Sequence, residues 1–371
     1  MSPIRVLQVL ASLNRGGAET MIMNVYRQIN RRQIQFDFIV NENKDPYDYE
    51  KEVRELGGRI YPAPRFTITN YLPYKRYWEQ LLMTHPEWRI IHGHHTSPAL
   101  IYLNAAKSMN RVTIAHSHTA GGEKSLKSMM KVILRYPLRY IADHLLACST
   151  SAAKWMFGKR GDSAQIIKNA IDINKFIFNE IVRNEKRREF QIEEHFVIGH
   201  VGRFQIPKNH QFLIRIFKII TERKKDVRLM LVGDGELRPA IEHKVNELGL
   251  ADKVIFTGSR SDIPELLQAM DLFVFPSRFE GLGLAVVEAQ AAGLPCIVAN
   301  TIPTEAYVTD QIEEVAIDAS ADIWAESIIR HCKGNERKSS TEQIKASGFA
   351  IEETVNQLTN FYMEQYKLFN S

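Results

Sequence analysis

The feature that most limits what this chain can fold into is an alternation, met twice, of short apolar runs with helical patterns. In the first half the apolar runs are Ile4–Leu10, Phe36–Val40, Arg89–Ile91, Val112–Ala115 and Leu145–Cys148. Helical spacing falls between them, as at Ala18–Ile29 and Tyr47–Leu56. Strands in alternation with helices predict a parallel sheet. A polar, charge-rich stretch at Asn179–Glu194 interrupts the pattern, which then restarts. Strands are expected at Phe196–Val201, Val227–Val232, Lys253–Phe256, Leu272–Phe275 and Cys296–Val298. Helices are expected at His210–Arg223, Leu237–Leu248, Ile263–Met270 and Leu284–Ala292. The restart predicts two α/β domains, divided near 176–194.

A length of 371 residues leaves room for two such cores. No apolar run approaches the ~20 residues of a spanning helix, and the N-terminus reads as a buried strand rather than a secretory signal. Cys148, Cys296 and Cys332 form neither a metal-ligand spacing nor an even-numbered framework, which fits a reducing cytoplasm. The net charge of +5 is uneven: residues 1–175 carry 25 Lys+Arg against 14 Asp+Glu, and residues 176–371 carry 23 against 29. A basic first half suggests that it faces something anionic, unless the asymmetry is drift.

Three expected strands run into glycine-bearing turns before helices: Gly16-Gly17, Gly202-Arg203 with Lys208-Asn209, and Gly233-Asp-Gly235. Helix N-termini carry unpaired N–H groups that can hold phosphate, and glycine lets a ligand approach the backbone. None of the turns reads as a dinucleotide fingerprint or a Walker loop, which counts against an NAD enzyme and a P-loop NTPase. Arg203 and Lys208 put two cations at the C-terminal end of one strand, where open α/β sheets bind ligands. Together they could neutralise a diphosphate, or they could be two solvated surface cations.

The segment Ser277-Arg-Phe-Glu280-Gly281-Leu282-Gly283-Leu284-Ala-Val-Val-Glu288 follows a buried strand and opens an alanine-rich helix. The N–H groups of Gly281–Leu284 can face a ligand beside both carboxylates, which are good acceptors for sugar hydroxyls. The plainer readings are a dipole-stabilising Glu280 and a solvated Glu288, the latter disfavoured by its apolar neighbours Val287 and Ala289.

Glu280-x7-Glu288 in this setting resembles the E-x7-E signature of retaining glycosyltransferase family 4, which has the GT-B fold. Gly202-Arg203…Lys208-Asn209, Gly16-Gly17-Ala18-Glu19, Asn169-Ala170-Ile171-Asp172 (with Ala where the family usually has Gly), Val232-Gly-Asp-Gly-Glu and Phe256-Thr-Gly258-Ser-Arg260-Ser261-Asp262 fit in the same order. The resemblance runs from about residue 4 to residue 366 and is of the bacterial exopolysaccharide or capsule type. It implies two Rossmann-like domains facing across a cleft, spanning 1–178 on the acceptor side and 179–350 on the nucleotide-sugar side. The segment 351–371 would be a helix returning to the first domain, with Val355, Leu358, Phe361, Tyr362 and Tyr366 as its apolar stripe.

The resemblance also implies roles. Arg203 and Lys208 would bind the donor diphosphate, Glu280 the hexose and Glu288 the ribose. Gly16, Gly17, Gly202, Gly233, Gly258, Gly281, Leu282, Gly283 and Leu284 would line the donor, and the Gly258–Ile263 backbone, through Arg260, Ser261 and Asp262, would line the nucleobase. His116 would hydrogen-bond the donor sugar, unless it is only a satisfied strand-end histidine. His92, His94 and His118 are expected on the acceptor side, with His95 in the same run. A zinc reading of this run has no His-Glu-x-x-His helix behind it, so no metal or cofactor is expected. Retention usually suggests a carboxylate nucleophile; no first-domain carboxylate is placed by motif for it, which favours front-face attack assisted by the leaving diphosphate.

Lys124, Lys127, Lys131, Arg135 and Arg139 are spaced three, four, four and four, one face of a helix with Leu126, Met129, Met130, Ile133 and Leu134 around the rest. Such a helix reads as a membrane-surface element beside a lipid-linked acceptor, or as a packing helix with a solvated face. The expected partners are a nucleotide sugar, most simply a UDP-sugar, and a glycan or lipid-linked acceptor, without nucleic acid. A sugar-nucleotide epimerase or an inactive sugar-nucleotide-binding scaffold would share the fold.

Overall fold

A computed structural model describes residues 2–41, 46–94, 98–119, 121, 136–332, 337 and 339–370. They form two compact units, one made of Met1–Ile171 with Phe349–Ser371, the other of Asp172–Gly348. The chain thus leaves the first unit at Ile171, earlier than the expected 178/179 division, and re-enters it at Phe349.

The first unit holds seven strands: β1 (Ile4–Leu10), β2 (Ile34–Val40), β3 (Ile60–Pro62), β4 (Trp88–Gly93), β5 (Val112–Ser117), β6 (His144–Ala147) and β7 (Gln165–Ile166). They lie in the order β3-β2-β1-β4-β5-β6-β7, all parallel. Side chains alternate between the faces of a strand. Val6, Leu10, Phe36, Phe38, Ile90 and Ile114 enter one apolar layer, and Leu7, Val9, Ile39, Ile91 and Ala115 enter the other. The layer on the first face is closed by the last helix, Ile351–Asn370, through Leu358, Phe361 and Tyr362, with Val355 and Tyr366 packed at its margin. That is the stripe its sequence spacing marks.

The second unit has six parallel strands: β8 (Phe196–Val201), β9 (Val227–Val232), β10 (Val254–Gly258), β11 (Leu272–Phe275), β12 (Cys296–Ala299) and β13 (Ile312–Val315). Their order is β10-β9-β8-β11-β12-β13. Four elements match their expected bounds, Phe196–Val201, His210–Arg223, Val227–Val232 and Leu272–Phe275. Strand order reverses between β8 and β11 here, and between β1 and β4 in the first unit. Such switch points leave a crevice at the strands' C-terminal ends, the usual ligand site of open α/β sheets.

The charge-rich stretch expected as a linker is instead largely a helix, Glu180–Glu189, capped by the Asn179 side chain on the Ile181 and Val182 amides. Its cations have structural work. Arg183 donates to the carbonyls of Gln268 and Met270 at 2.8 and 2.9 Å. Arg187, 6% exposed, donates to the carbonyl of Ala269 at 2.8 Å. Both also pair with Asp271. The carbonyls belong to the end of helix Ile263–Ala269, where cations are favoured and the last C=O groups lack partners. High charge here therefore reports capping of a neighbouring helix, not a solvated tether.

Candidate active site

In the second unit, two loops meet at the switch point. The loop after β8 carries Gly202, Arg203 and Lys208, and the loop after β11 carries Glu280 and Gly283. The Arg278 amide donates to the Pro207 carbonyl at 2.7 Å, and the Asn209 side chain donates to the Pro276 carbonyl at 3.2 Å. Asn209 itself is left-handed at φ 59°, a conformation that asparagine tolerates better than most residues. Gly202 is closely packed: a Cβ there would lie 3.1 Å from both His200 Nε2 and Lys208 Cδ, so these side chains would have to give way. Gly233, at φ 138°, would drive a Cβ into the Gly202 carbonyl. Gly233 donates to the Gly258 carbonyl at 2.9 Å, so the ends of β8, β9 and β10 are tied together.

The Lys208 ammonium donates to Glu280 Oε1 at 2.6 Å and lies 4.6 Å from the centre of the Phe275 ring. Arg203 is exposed, and among the described residues its guanidinium has no partner. It is an exposed cation on a loop hydrogen-bonded to the loop after β11. Gly283, left-handed at φ 86°, is the N-cap of helix Leu284–Ala291, and Glu288 sits within that helix. Glu288 is half-buried by area, but its carboxyl is deep enough that burial pushes it up to about 8, against the downward pull of the Lys208 charge. Gly281 and Leu282 are buried in the loop before it, and Leu284 is half-buried at the first turn. Arg203, Lys208, Glu280 and Glu288 are thus carried by neighbouring elements of one switch point, as their motif spacing implies.

Arg260 and Asp262 are not free for a ligand. Their side chains pair at 2.6 Å, Asp262 also binds Lys186 at 2.7 Å, and Arg260 binds Glu189 at 3.3 Å. The bond from Arg260 holds the Asp262 carboxyl far below the usual range. The backbone of this stretch and the exposed Ser259 and Ser261 remain open to the expected nucleobase contact.

In the first unit, Gly16 caps helix Gly17–Gln28, and a Cβ on it would meet the Glu19 carboxylate. Gly17 faces open space. The histidines collect at the other switch point. Gln8 on β1 is the cross-strand partner of His92 on β4; His116 follows on β5 and His118 one residue beyond it. His92 Nδ1 lies 2.6 Å from the Tyr362 hydroxyl of the last helix, and His92 Nε2 lies 3.0 Å from His116 Nδ1. His94 Nδ1 lies 2.8 Å from His118 Nε2, and His94 Nε2 lies 2.9 Å from Gln8 Oε1. Burial drives His92, His94 and His116 well below the ordinary imidazole value and His118 down to about 4, so all four rings are neutral at pH 7. Ligand nitrogens of His92, His94 and His116 fall within 4.8 Å of one another, near enough for a metal ion. Apart from His116 Nε2, which is buried without a partner, their nitrogens are engaged with one another and with His118, Gln8 and Tyr362. His95 and Lys124, Lys127, Lys131 and Arg135 of the expected basic helix lie outside the described residues; Arg139 falls in the short helix Leu138–Ile141, its guanidinium 4.3 Å from the Tyr136 ring centre.

Sequence reasoning passed over Gln8, His200, His210 and Ser277. Three of them have buried atoms without a partner: His200 Nε2, both ring nitrogens of His210, and the Ser277 hydroxyl. The available signal was polarity inside apolar strands, Gln8 in Ile-Arg-Val-Leu-Gln-Val-Leu and His200 in Phe-Val-Ile-Gly-His-Val.

Comparison with known proteins agrees with this geometry. The family model described as Glycosyltransferase Family 4 matches residues 15–175, and that described as Glycosyl transferases group 1 matches residues 182–347. EpsF of Bacillus subtilis (strain 168), which carries a glycosyltransferase name, is 32% identical over 369 residues, covering 96% of each chain. An Escherichia coli enzyme named UDP-Gal:alpha-D-GlcNAc-diphosphoundecaprenol alpha-1,3-galactosyltransferase is 25% identical over 304 residues, 76% of this chain and 77% of its own. Among solved structures, Anabaena Alr3699/HepE in complex with UDP and glucose superposes with a TM-score of 0.79 at 20% identity, covering 98% of this chain and 99% of that one. A relative matched end to end, with both halves matched in order, establishes that the chain belongs to glycosyltransferase family 4 and is a glycosyltransferase of the GT-B fold.

Proposed function

We propose that the enzyme moves a hexose or N-acetylhexosamine, with retention, from a UDP-sugar to a glycan or lipid-linked acceptor in bacterial exopolysaccharide or capsule synthesis. The observation that carries this reading is the convergence of Arg203, Lys208, Glu280 and Glu288 on one switch point. Two cations there suit a diphosphate, and two carboxyl groups suit sugar and ribose hydroxyls. Lys208, held by Glu280 at 2.6 Å without ligand, passes to the diphosphate when donor enters and frees Glu280 for the hexose. Arg203 and Lys208 then stabilise the charge that grows on the leaving group as the glycosidic bond breaks. Relatives named for a UDP-galactose donor and a diphosphoundecaprenol acceptor, and a structural neighbour holding UDP and glucose, support the choice of donor and acceptor class.

The reaction needs no metal in this proposal, since both phosphate charges meet protein cations. The basic segment at 124–139 would hold the enzyme against anionic lipid on the cytoplasmic face, at ~1 kcal/mol per cation. No helix among the described residues is long and apolar enough to cross a membrane.

A panel of UDP- and GDP-sugars, offered with and without undecaprenyl-diphosphate-linked sugar acceptors, tests the proposal. The expected result is acceptor-dependent release of UDP and, by NMR, a product with the donor's anomeric configuration. An inverted product overturns retention. Isomerisation of the donor sugar without an acceptor indicates the epimerase instead.

A further inference from the structure

A groove of about 480 Å³ opens in the second unit beside the loops that carry Lys208 and Glu280. One wall is helix His210–Arg223, with Phe212 and Arg215; another is Arg278 of the loop after β11; the third is Ile317 and Asp318 of the loop after β13. All three walls are fixed. The Arg278 amide donates to the Pro207 carbonyl at 2.7 Å, and the side chain of Asn209, which also lines the groove, donates to the Pro276 carbonyl at 3.2 Å. The Ile317 amide donates to the Asn300 side chain at 3.0 Å, and the Trp324 indole donates to the Ala316 carbonyl at 3.1 Å.

Three charges border this groove. Arg215, Arg278 and Asp318 are exposed, and among the described residues none of them has an ion pair or a side-chain hydrogen bond. Arg223 of the same helix behaves differently, meeting Asp322 at 3.1 Å and Glu326 at 3.8 Å. The Arg215 guanidinium lies over the Phe212 ring, 5.3 Å from its centre, which places its face and leaves its N–H edge open.

We infer that this groove is a second ligand site, separate from the donor site, and that it takes the phosphate ester of a small sugar. Its volume falls in the ~300–1,000 Å³ range of small-molecule sites. Two guanidiniums supply forked N–H donors that match phosphate oxygens. The Asp318 carboxylate only accepts. It repels a bare polyanion and favours a ligand that brings hydroxyl groups beside its phosphate. Half-buried Ile317 offers an apolar surface to the C–H face of a sugar ring. Arg203, Lys208, Glu280 and Glu288 are not part of the lining, so the groove and the donor loops can be filled together. Arg278 and Asn209 also tie those loops to each other, so an occupant bears on the donor site without entering it. The inference goes beyond the transferase reading and stands whichever nucleotide sugar is the donor.

Calorimetric titration of the full-length enzyme with galactose 1-phosphate, glucose 6-phosphate, inorganic phosphate and free galactose tests it, each with and without saturating UDP. Saturable binding of one sugar phosphate per chain is expected, unchanged by UDP, with no binding of free galactose. Inorganic phosphate should bind about tenfold more weakly, and Arg215→Ala and Arg278→Ala should each weaken the ester about tenfold or more, the size of one charge-assisted contact. Asp318→Ala should remove the preference for the ester over inorganic phosphate. All three side chains are exposed, and thermal melts confirm that the variants remain folded. Absence of binding by both esters overturns the inference, as does binding that neither arginine substitution weakens. Inorganic phosphate bound as tightly as the esters, or an ester preference that survives in Asp318→Ala, would reduce the groove to an adventitious anion site. Displacement of the ester by UDP would place it in the donor site instead. Failure of the transferase reading shows separately, as an enzyme that binds the ester but no nucleoside diphosphate.

Discussion

Arg203→Ala and Lys208→Ala are each expected to lower kcat by about 10²–10³ while the protein stays folded. The magnitude is that of removing one preorganised contact to charge that develops in a transition state, ~2.7–4 kcal/mol. The fold should survive because Arg203 is exposed and, among the described residues, its side chain pairs with nothing. Surface substitutions of this kind change stability by about 0.5 kcal/mol or less. Lys208→Ala differs in one respect: it removes the partner of Glu280, so a small loss of thermal stability should accompany the loss of rate. Steady-state kinetics with a nucleotide-sugar donor, alongside thermal melts, separates the two effects. Near-normal turnover in both variants would remove the leaving-group role from this loop.

Acid should destabilise the protein well above the range in which carboxylates are protonated. His92, His94, His116 and His118 in the first unit, and His200 and His210 in the second, are all pushed down by burial, His200 to about 4 and His210 to about 2. An unfolded imidazole takes up a proton below about 6.5. The folded one does not until much lower pH. The unfolded state therefore binds more protons across this window, and stability falls as pH falls from about 6.5. Each such ring contributes a slope approaching about 1.4 kcal/mol per pH unit. Glu288 works in the opposite direction, since its raised pKa lets the folded state take up a proton as pH falls through about 8. One carboxyl does not offset six imidazoles. The first unit, with four of the six, should open first. Urea unfolding at pH 7.5 and pH 5.5, followed by hydrogen exchange, reads both points. A midpoint that does not move between these values would mean that the rings are protonated in place.

Much of this molecule is legible in its sequence because period and position suffice. β8, β9 and β11 are short apolar runs between helical spacings, and their ends are marked by Gly202, Gly233 and Pro276. Arg203, Lys208 and Glu280 were readable as neighbours for the same reason: they follow the ends of β8 and β11 at short offsets. What was hidden depends on contacts made across the chain. The Tyr362 hydroxyl meets Gln8 across 354 residues and His92 across 270. From spacing alone Tyr362 is one more member of an apolar stripe. The capping cations of helix Glu180–Glu189 were hidden likewise, since Arg183 and Arg187 serve carbonyls more than eighty residues away. The side chains of Arg260 and Asp262 were hidden in the same way: they pair with each other and with Glu189 and Lys186 of the helix Glu180–Glu189, and leave the expected nucleobase contact to the backbone of their stretch.

Calorimetric titration of the full-length enzyme with UDP tests the central claim most directly, because it needs neither the sugar nor the acceptor to be known. Saturable binding of one UDP per chain is expected, weakened at least tenfold in Lys208→Ala and in Arg203→Ala, with GDP weaker in the wild type. Absence of binding by any nucleoside diphosphate, or UDP binding that neither substitution alters, would contradict the assignment of the donor site to the β8–β11 switch point.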